Sequence, residues 1–127
     1  MMIDNKKRPV FLNLIQIRLP IAGIVSIAHR IAGVILFVSL PFWLYLLDLS
    51  LSSETEYRQA AEYLQSNWLL PLYAFLFWAI IHHLLAGIRY LLLDIDIAIE
   101  KPAYRNTALT VLIAAPVIVL LTFMVIL

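Results

Sequence analysis

The sequence contains no cysteine among its 127 residues and few charged side chains. Without thiols the chain forms no disulfide and cannot hold an iron–sulfur cluster through thiolates. Charged residues make up 13% of the chain and hydrophobic residues 64%, a composition far outside the range of soluble proteins. The net charge of +1 indicates no nucleic-acid partner. The sequence also lacks a nucleotide-binding loop, a catalytic nucleophile and a soluble metal site, so nothing in it indicates catalysis by this chain alone.

Three apolar runs are long enough to cross a bilayer as helices. They predict spans at about 21–47, 68–93 and 107–127. Little sequence remains for a soluble domain, so we expect an all-α membrane protein with residues 1–127 forming one membrane-anchor domain.

The first apolar run follows basic residues, as in a signal peptide. It is too long for a signal sequence and no convincing cleavage site follows it, so a retained span is expected.

Two shorter segments are expected beside the spans. Between Pro9 and Pro20, a run of apolar residues predicts a short interfacial segment. Between the first two spans, Ser53 and Glu56 have the spacing of a capping box. Apolar residues then recur at helical intervals over 57–64, which predicts a short amphipathic helix on the membrane surface.

Basic residues in the short loops predict the orientation of the chain. The first connection contains only Arg58, whereas the second contains Lys101 and Arg105. The segment before the first span has four basic residues: Lys6, Lys7, Arg8 and Arg18. The N-terminus should therefore face the cytoplasm, or the matrix if the membrane is mitochondrial, and the C-terminus should face the other side.

The second span carries two adjacent histidines inside its apolar run. His83, Gly87 and Tyr90 are spaced to share one helix face, while His82 points about 100° away from His83. Gly87 would allow a flat ring or another helix to approach the backbone. Imidazole is a good axial ligand for haem iron, so this face could bind haem. Such a histidine can also simply hydrogen-bond a neighbouring helix.

The first span places Ser26, His29 and Arg30 on neighbouring parts of one face. A buried arginine needs an acceptor such as a carboxylate or a ligand oxygen, although its side chain could instead reach the headgroups. At about 1.5 Å per residue, Arg30 lies roughly 15 Å from Pro20 and His83 roughly 16 Å from Asp94. Both distances start at the same predicted membrane face, so His29, Arg30 and His83 should lie at similar depth, with Ser26 closer to the cytoplasm.

Two motifs on these spans resemble those of a known family. The first covers residues 26–33, Ser-Ile-Ala-His-Arg-Ile-Ala-Gly, and the second runs from His83-Leu-Leu-Ala-Gly-Ile-Arg89 to Asp94. With Arg8-Pro9 near the start, they resemble the cytochrome b subunit of succinate dehydrogenase, a membrane anchor of respiratory complex II. The bacterial form is the closer likeness, which implies the bacterial inner membrane, with the mitochondrial inner membrane as the alternative.

The resemblance implies a haem b-binding anchor of succinate:ubiquinone oxidoreductase. His83 would be one axial ligand of the haem iron, and a second membrane anchor subunit would supply the other. His29 and Arg30 would lie near the haem propionates, and Ser26 and Arg30 would border the ubiquinone site. FAD and the iron–sulfur clusters would belong to the flavoprotein and iron–sulfur subunits, which the anchors dock.

Two departures and two alternatives accompany this interpretation. The family usually has Ser or Thr where this chain has Ala32, and many members have His where it has Tyr90. His82 could also compete as a ligand. One alternative function is the anchor of a quinol:fumarate reductase, whose residue pattern would be the same. The other is a three-span packing or transport subunit without a cofactor.

Overall fold

The computed structural model describes residues 18–126 and contains no strand within them. Within this range the chain forms four α-helices: α1 (Ile21–Ser52), α2 (Glu54–Leu64), α3 (Leu70–Asp94) and α4 (Ala103–Ile126), with a 3₁₀ turn at Asn67–Leu69 before α3. Three helical segments are long and apolar enough to cross a membrane: Ile21–Ser52, Asn67–Asp94 and Ala103–Val125. The all-α architecture predicted from hydropathy is therefore confirmed. The predicted interfacial segment falls on residues before Arg18 and lies largely outside the described part of the chain.

The helix ends differ from the predicted spans where polar residues continue a helix. The α1 helix runs to Ser52 instead of ending near Leu47, and within this last part the hydroxyls of Ser50 and Ser52 donate to carbonyls about one turn back. The α4 helix begins at Ala103, four residues before the predicted start. Pro102 precedes it, and a proline at a helix start has no hydrogen bond to lose.

The short helix between the first two spans is present, and its cap has the predicted residues. The Ser53 hydroxyl accepts the Glu56 backbone N–H at 3.2 Å and donates to the Glu56 carboxylate at 3.0 Å. One face of α2, containing Ala60 and Leu64, borders a groove shared with the end of α1. Capping and this contact fix α2 next to the far end of α1, away from the polar residues of the spans.

The three long helices pack as a bundle with α3 in contact with both α1 and α4, and α1 also contacts α4. The core contains Val25 from α1, Ala86 from α3, and Ala108 and Val111 from α4. Small side chains at such positions let helix backbones approach closely, which stabilises packing where lipid removes the hydrophobic driving force. Close approach of α1 and α3 in turn brings their polar side chains together.

Candidate functional site

Two imidazoles meet where α1 packs on α3. The rings of His29 and His83 are stacked, with centroids 4.1 Å apart and planes 15° from parallel. The Nδ1 of His83 lies 3.2 Å from the backbone carbonyl oxygen of His29. A carbonyl only accepts, so Nδ1 is the donor in this contact, and in the neutral imidazole Nε2 then keeps a lone pair. The sequence predicted that His29 and His83 lie at similar depth in the membrane, and in the structure the two residues are in direct contact.

Gly33 makes room for the His83 ring. A Cβ at Gly33 would lie 3.0 Å from Cε1 and 3.3 Å from Nδ1 of His83, which is closer than side chains normally approach. The same imidazole edge makes the hydrogen bond to α1. Gly33 therefore lets α1 approach the ring closely enough to hold it, a role the sequence did not predict for this residue.

Gly87 also lies beside the two imidazoles of His29 and His83. The space next to its backbone, which the sequence suggested for a flat ring or another helix, is occupied by His29. A Cβ at Gly87 would meet Nε2 of His29 at 3.7 Å, an ordinary van der Waals distance. The flat ring that lies against Gly87 in this structure is therefore the His29 imidazole. Tyr90, one turn further along, meets His29 edge-on with centroids 5.3 Å apart, so His83, Gly87 and Tyr90 do share one face of α3.

His82 lies in a different environment from its neighbour. It is only 1% exposed, and its ring stacks on Trp78 with centroids 5.2 Å apart. Its Nε2 has no hydrogen-bond partner among the described residues. His83 is partly exposed, so of the two adjacent histidines His83 is the one that a group from outside the chain can reach.

Ser26 and Arg30 lie on the outer part of α1 beside this pair. Ser26 is partly buried and Arg30 is exposed, next to the exposed side chains of Ile27, Ile31 and Val34. Within residues 18–126, neither forms a side-chain hydrogen bond, and no carboxylate pairs with Arg30. The structure does not bring Arg30 into the imidazole stack. The side chains of Ser26 and Arg30 instead lie at the surface of α1, where a group from outside the chain can contact them.

Arg89 is a buried cation that the sequence analysis did not single out. It is 4% exposed, and it donates from Nε to the Thr107 hydroxyl and from Nη2 to the Tyr104 carbonyl, both at 3.1 Å. Its guanidinium lies 4.8 Å from the Tyr104 ring centroid and 5.5 Å from that of Tyr90. The sequence did offer one signal for Arg89, because a charged residue inside an apolar run usually has a functional or structural partner. Its partners lie on the next helix and could not be read from spacing.

Comparison with known proteins identifies the family. Residues 4–123 match the family model described as succinate dehydrogenase/fumarate reductase transmembrane subunit. The chain belongs to this family. Together with its three apolar helices, membership makes it a multi-pass membrane protein.

Three curated relatives carry succinate dehydrogenase names. The cytochrome b556 subunit of Coxiella burnetii is 35% identical over 118 residues, which cover 92% of this chain and 94% of that protein. The cytochrome b556 subunit of Paracoccus denitrificans is 27% identical over 97% of this chain and 95% of its own length. The cytochrome b560 subunit of Reclinomonas americana is 36% identical over 76% of this chain and 70% of its own length. The family resemblance inferred from the two motifs is confirmed.

Proposed function

We propose that residues 1–127 act as one membrane-anchor domain that carries haem b in a succinate:ubiquinone oxidoreductase. The observation that carries this proposal is the His83 imidazole, oriented by the His29 carbonyl and partly exposed. The names of the relatives, cytochrome b556 and cytochrome b560, support a haem protein. The chain would work only as one subunit of the enzyme.

His83 fits the role of an axial ligand. Histidines that bind metals generally donate the other ring N–H to a carbonyl or carboxylate, which fixes the ring orientation and raises the basicity of the ligating nitrogen. His83 has this arrangement, with Nδ1 donating to the His29 carbonyl and Nε2 left for iron. Bound there, haem b would supply a one-electron redox centre within the membrane.

The second axial ligand would come from another subunit. Two histidines of this chain could hold one haem iron together only if each could direct a free ring nitrogen at the metal. His29 and His83 are instead stacked face to face at 4.1 Å, an arrangement that does not suit two ligands of one iron. A histidine from the second membrane anchor subunit is the natural candidate. His29 and Arg30 would then contact the haem propionates from this chain's side.

Ser26 and Arg30 would border the ubiquinone site. The Ser26 hydroxyl has no partner among the described residues and can donate to a quinone carbonyl. Arg30 carries an exposed cation without a described carboxylate, so it can stabilise negative charge that develops on a quinone oxygen during reduction. The second anchor and the iron–sulfur subunit would close this site. Electrons would reach it from succinate through FAD and iron–sulfur clusters in the hydrophilic subunits.

We further propose the bacterial inner membrane as the location, with the N-terminus in the cytoplasm; the mitochondrial inner membrane is the alternative. The basic residues before α1 and in the α3–α4 connection favour that side. The flavoprotein and iron–sulfur subunits would dock at the same side. Ser26 lies only six residues after Pro20, so the quinone site would be shallow and near those subunits.

The test compares two adjacent histidines in the purified assembly. The His83→Leu variant should lose the low-spin spectrum of a haem with two histidine ligands, and the His82→Leu variant should keep it. The reverse result would assign the ligand to His82. An assembly without any haem would favour a cofactor-free subunit, and menaquinone as the extracted quinone would favour a quinol:fumarate reductase.

A further inference from the structure

A groove runs between α3 and α4 on the side away from the imidazole pair. At about 100° per residue, Leu85, Ile88 and Leu92 lie roughly 200°, 140° and 180° around α3 from His83. These residues line a cavity of about 210 Å³ together with Ala114 of α4. Its walls are almost entirely aliphatic, so the cavity is chemically suited to a hydrocarbon chain.

Arg89 is the only charged residue among the described residues that line this groove. A guanidinium has five N–H donors, and the described partners of Arg89 take one from Nε and one from Nη2. Nη1 is buried without a partner, and no described carboxylate neutralises the charge. Two hydrogen bonds and the neighbouring Tyr104 ring compensate only part of the cost of burying this cation, so an anion held in the groove would stabilise it further.

The depth of the guanidinium matches the headgroup region. Arg89 lies five residues before the end of α3, and its side chain reaches to Tyr104 and Thr107 in the first turns of α4. Long basic side chains extend in this way toward the membrane interface. The acidic residues of the adjoining connection do not line the groove and are exposed: Asp94, Asp96 and Glu100.

We propose that this groove binds an anionic phospholipid, with the phosphate beside the guanidinium of Arg89 and an acyl chain along Leu85, Ile88 and Leu92. The lipid supplies both parts that the groove lacks, an anion for the buried cation and a hydrocarbon filling for the aliphatic walls. Charge complementarity favours it over a zwitterionic lipid. The site is separate from the proposed haem and quinone site because it opens on the opposite side of α3.

The experiment titrates the full chain, purified with its associated subunits, with phosphatidylglycerol or phosphatidylcholine and measures bound lipid by native mass spectrometry. The wild type should bind phosphatidylglycerol more tightly. Arg89→Gln should weaken phosphatidylglycerol binding about five-fold, the factor for one basic side chain at a membrane surface, and leave phosphatidylcholine unchanged. Arg105→Gln removes the same charge from an exposed position outside the groove and should change neither lipid.

A second pair of variants tests the groove without touching Arg89. Ala114→Phe fills it and should reduce binding of both lipids, whereas Leu120→Phe, at an exposed position on the same helix, should not. If the Arg89→Gln variant does not assemble, this second pair of variants alone tests whether lipid binds in the groove. Equal binding of the two lipids by the wild type, or unchanged binding in Ala114→Phe, would overturn the proposal. So would displacement of the lipid by millimolar inorganic phosphate. A photoreactive residue in place of Thr110, which also lines the groove, would likewise overturn the proposal if it cross-linked to a polypeptide.

Discussion

Replacing Gly33 with alanine should disturb the imidazole pair more than replacing either of the other two glycines. The new methyl group would lie 3.0 Å from Cε1 of His83, so the ring must move by a few tenths of an ångström. That movement acts on a hydrogen bond already 3.2 Å long. Its loss would cost about 1 kcal/mol, and losing the partner that orients a metal ligand typically weakens metal binding about 10-fold or more.

The other two glycines are matched controls on the same pair of helices. A Cβ at Gly23 would meet the Pro20 ring at 3.6 Å, and one at Gly87 would meet His29 at 3.7 Å, both ordinary contacts. Gly33 and Gly87 both lie inside a helix, so Gly33→Ala and Gly87→Ala gain about the same helix propensity, roughly 1 kcal/mol, and that contribution cancels between these two variants.

The assay is the haem content and low-spin spectrum of the purified assembly, with the midpoint potential measured on the same samples. Gly33→Ala should lower haem retention about 10-fold, and Gly23→Ala and Gly87→Ala should keep it near the wild-type level. The reasoning is refuted if Gly87→Ala loses the haem while Gly33→Ala retains it. In that case a group other than His29 lies against Gly87.

Three further outcomes follow from the same structure. The chain expressed without its partner anchor should show no low-spin haem spectrum, because the stacked His29 and His83 rings do not suit two ligands of one iron; a normal spectrum from the isolated chain would contradict this. Cysteine at Ser53 should react with an impermeant thiol reagent in intact cells or spheroplasts and cysteine at Asn106 should not, and the opposite labelling would reverse the orientation. Ser26→Ala should slow ubiquinone reduction about 10²-fold, the usual cost of one donor in a water-poor site, while succinate oxidation by a soluble dye continues. An unchanged Michaelis constant and turnover in Ser26→Ala would make that hydroxyl a packing group.

Hydropathy and helical spacing predicted most of the architecture. Each span is a long and predominantly apolar run, and the capping pair at Ser53 and Glu56 locates the start of α2. The predicted ends were less accurate because hydropathy reports where the apolar run stops, whereas a helix stops where its hydrogen bonding stops. Polar residues therefore extend α1 to Ser52 and start α4 at Ala103.

The candidate site was predictable in depth but not in detail. A constant rise per residue placed His29 and His83 at one level, and the structure brings them into contact. The role of Gly33 depends on how α1 is rotated against α3, which spacing within one helix does not determine. Arg89 is bonded to residues 15 and 18 positions away on another helix, so its role depends on the packing of α4.

Two adjacent residues of α3, Arg89 and Tyr90, connect the groove facing α4 with the imidazole pair facing α1. Arg89 belongs to the groove facing α4, and its guanidinium lies 5.5 Å from the ring of Tyr90. Tyr90 in turn lies 5.3 Å from His29, which stacks on His83. Its buried hydroxyl has no described partner, so its position depends on these ring contacts. Since closely packed side chains transmit displacement, a change that moves Arg89 has a path of two contacts to the imidazole pair, from Arg89 to Tyr90 and from Tyr90 to His29. A haem spectrum recorded on each groove variant therefore separates loss of lipid alone from a displaced Tyr90.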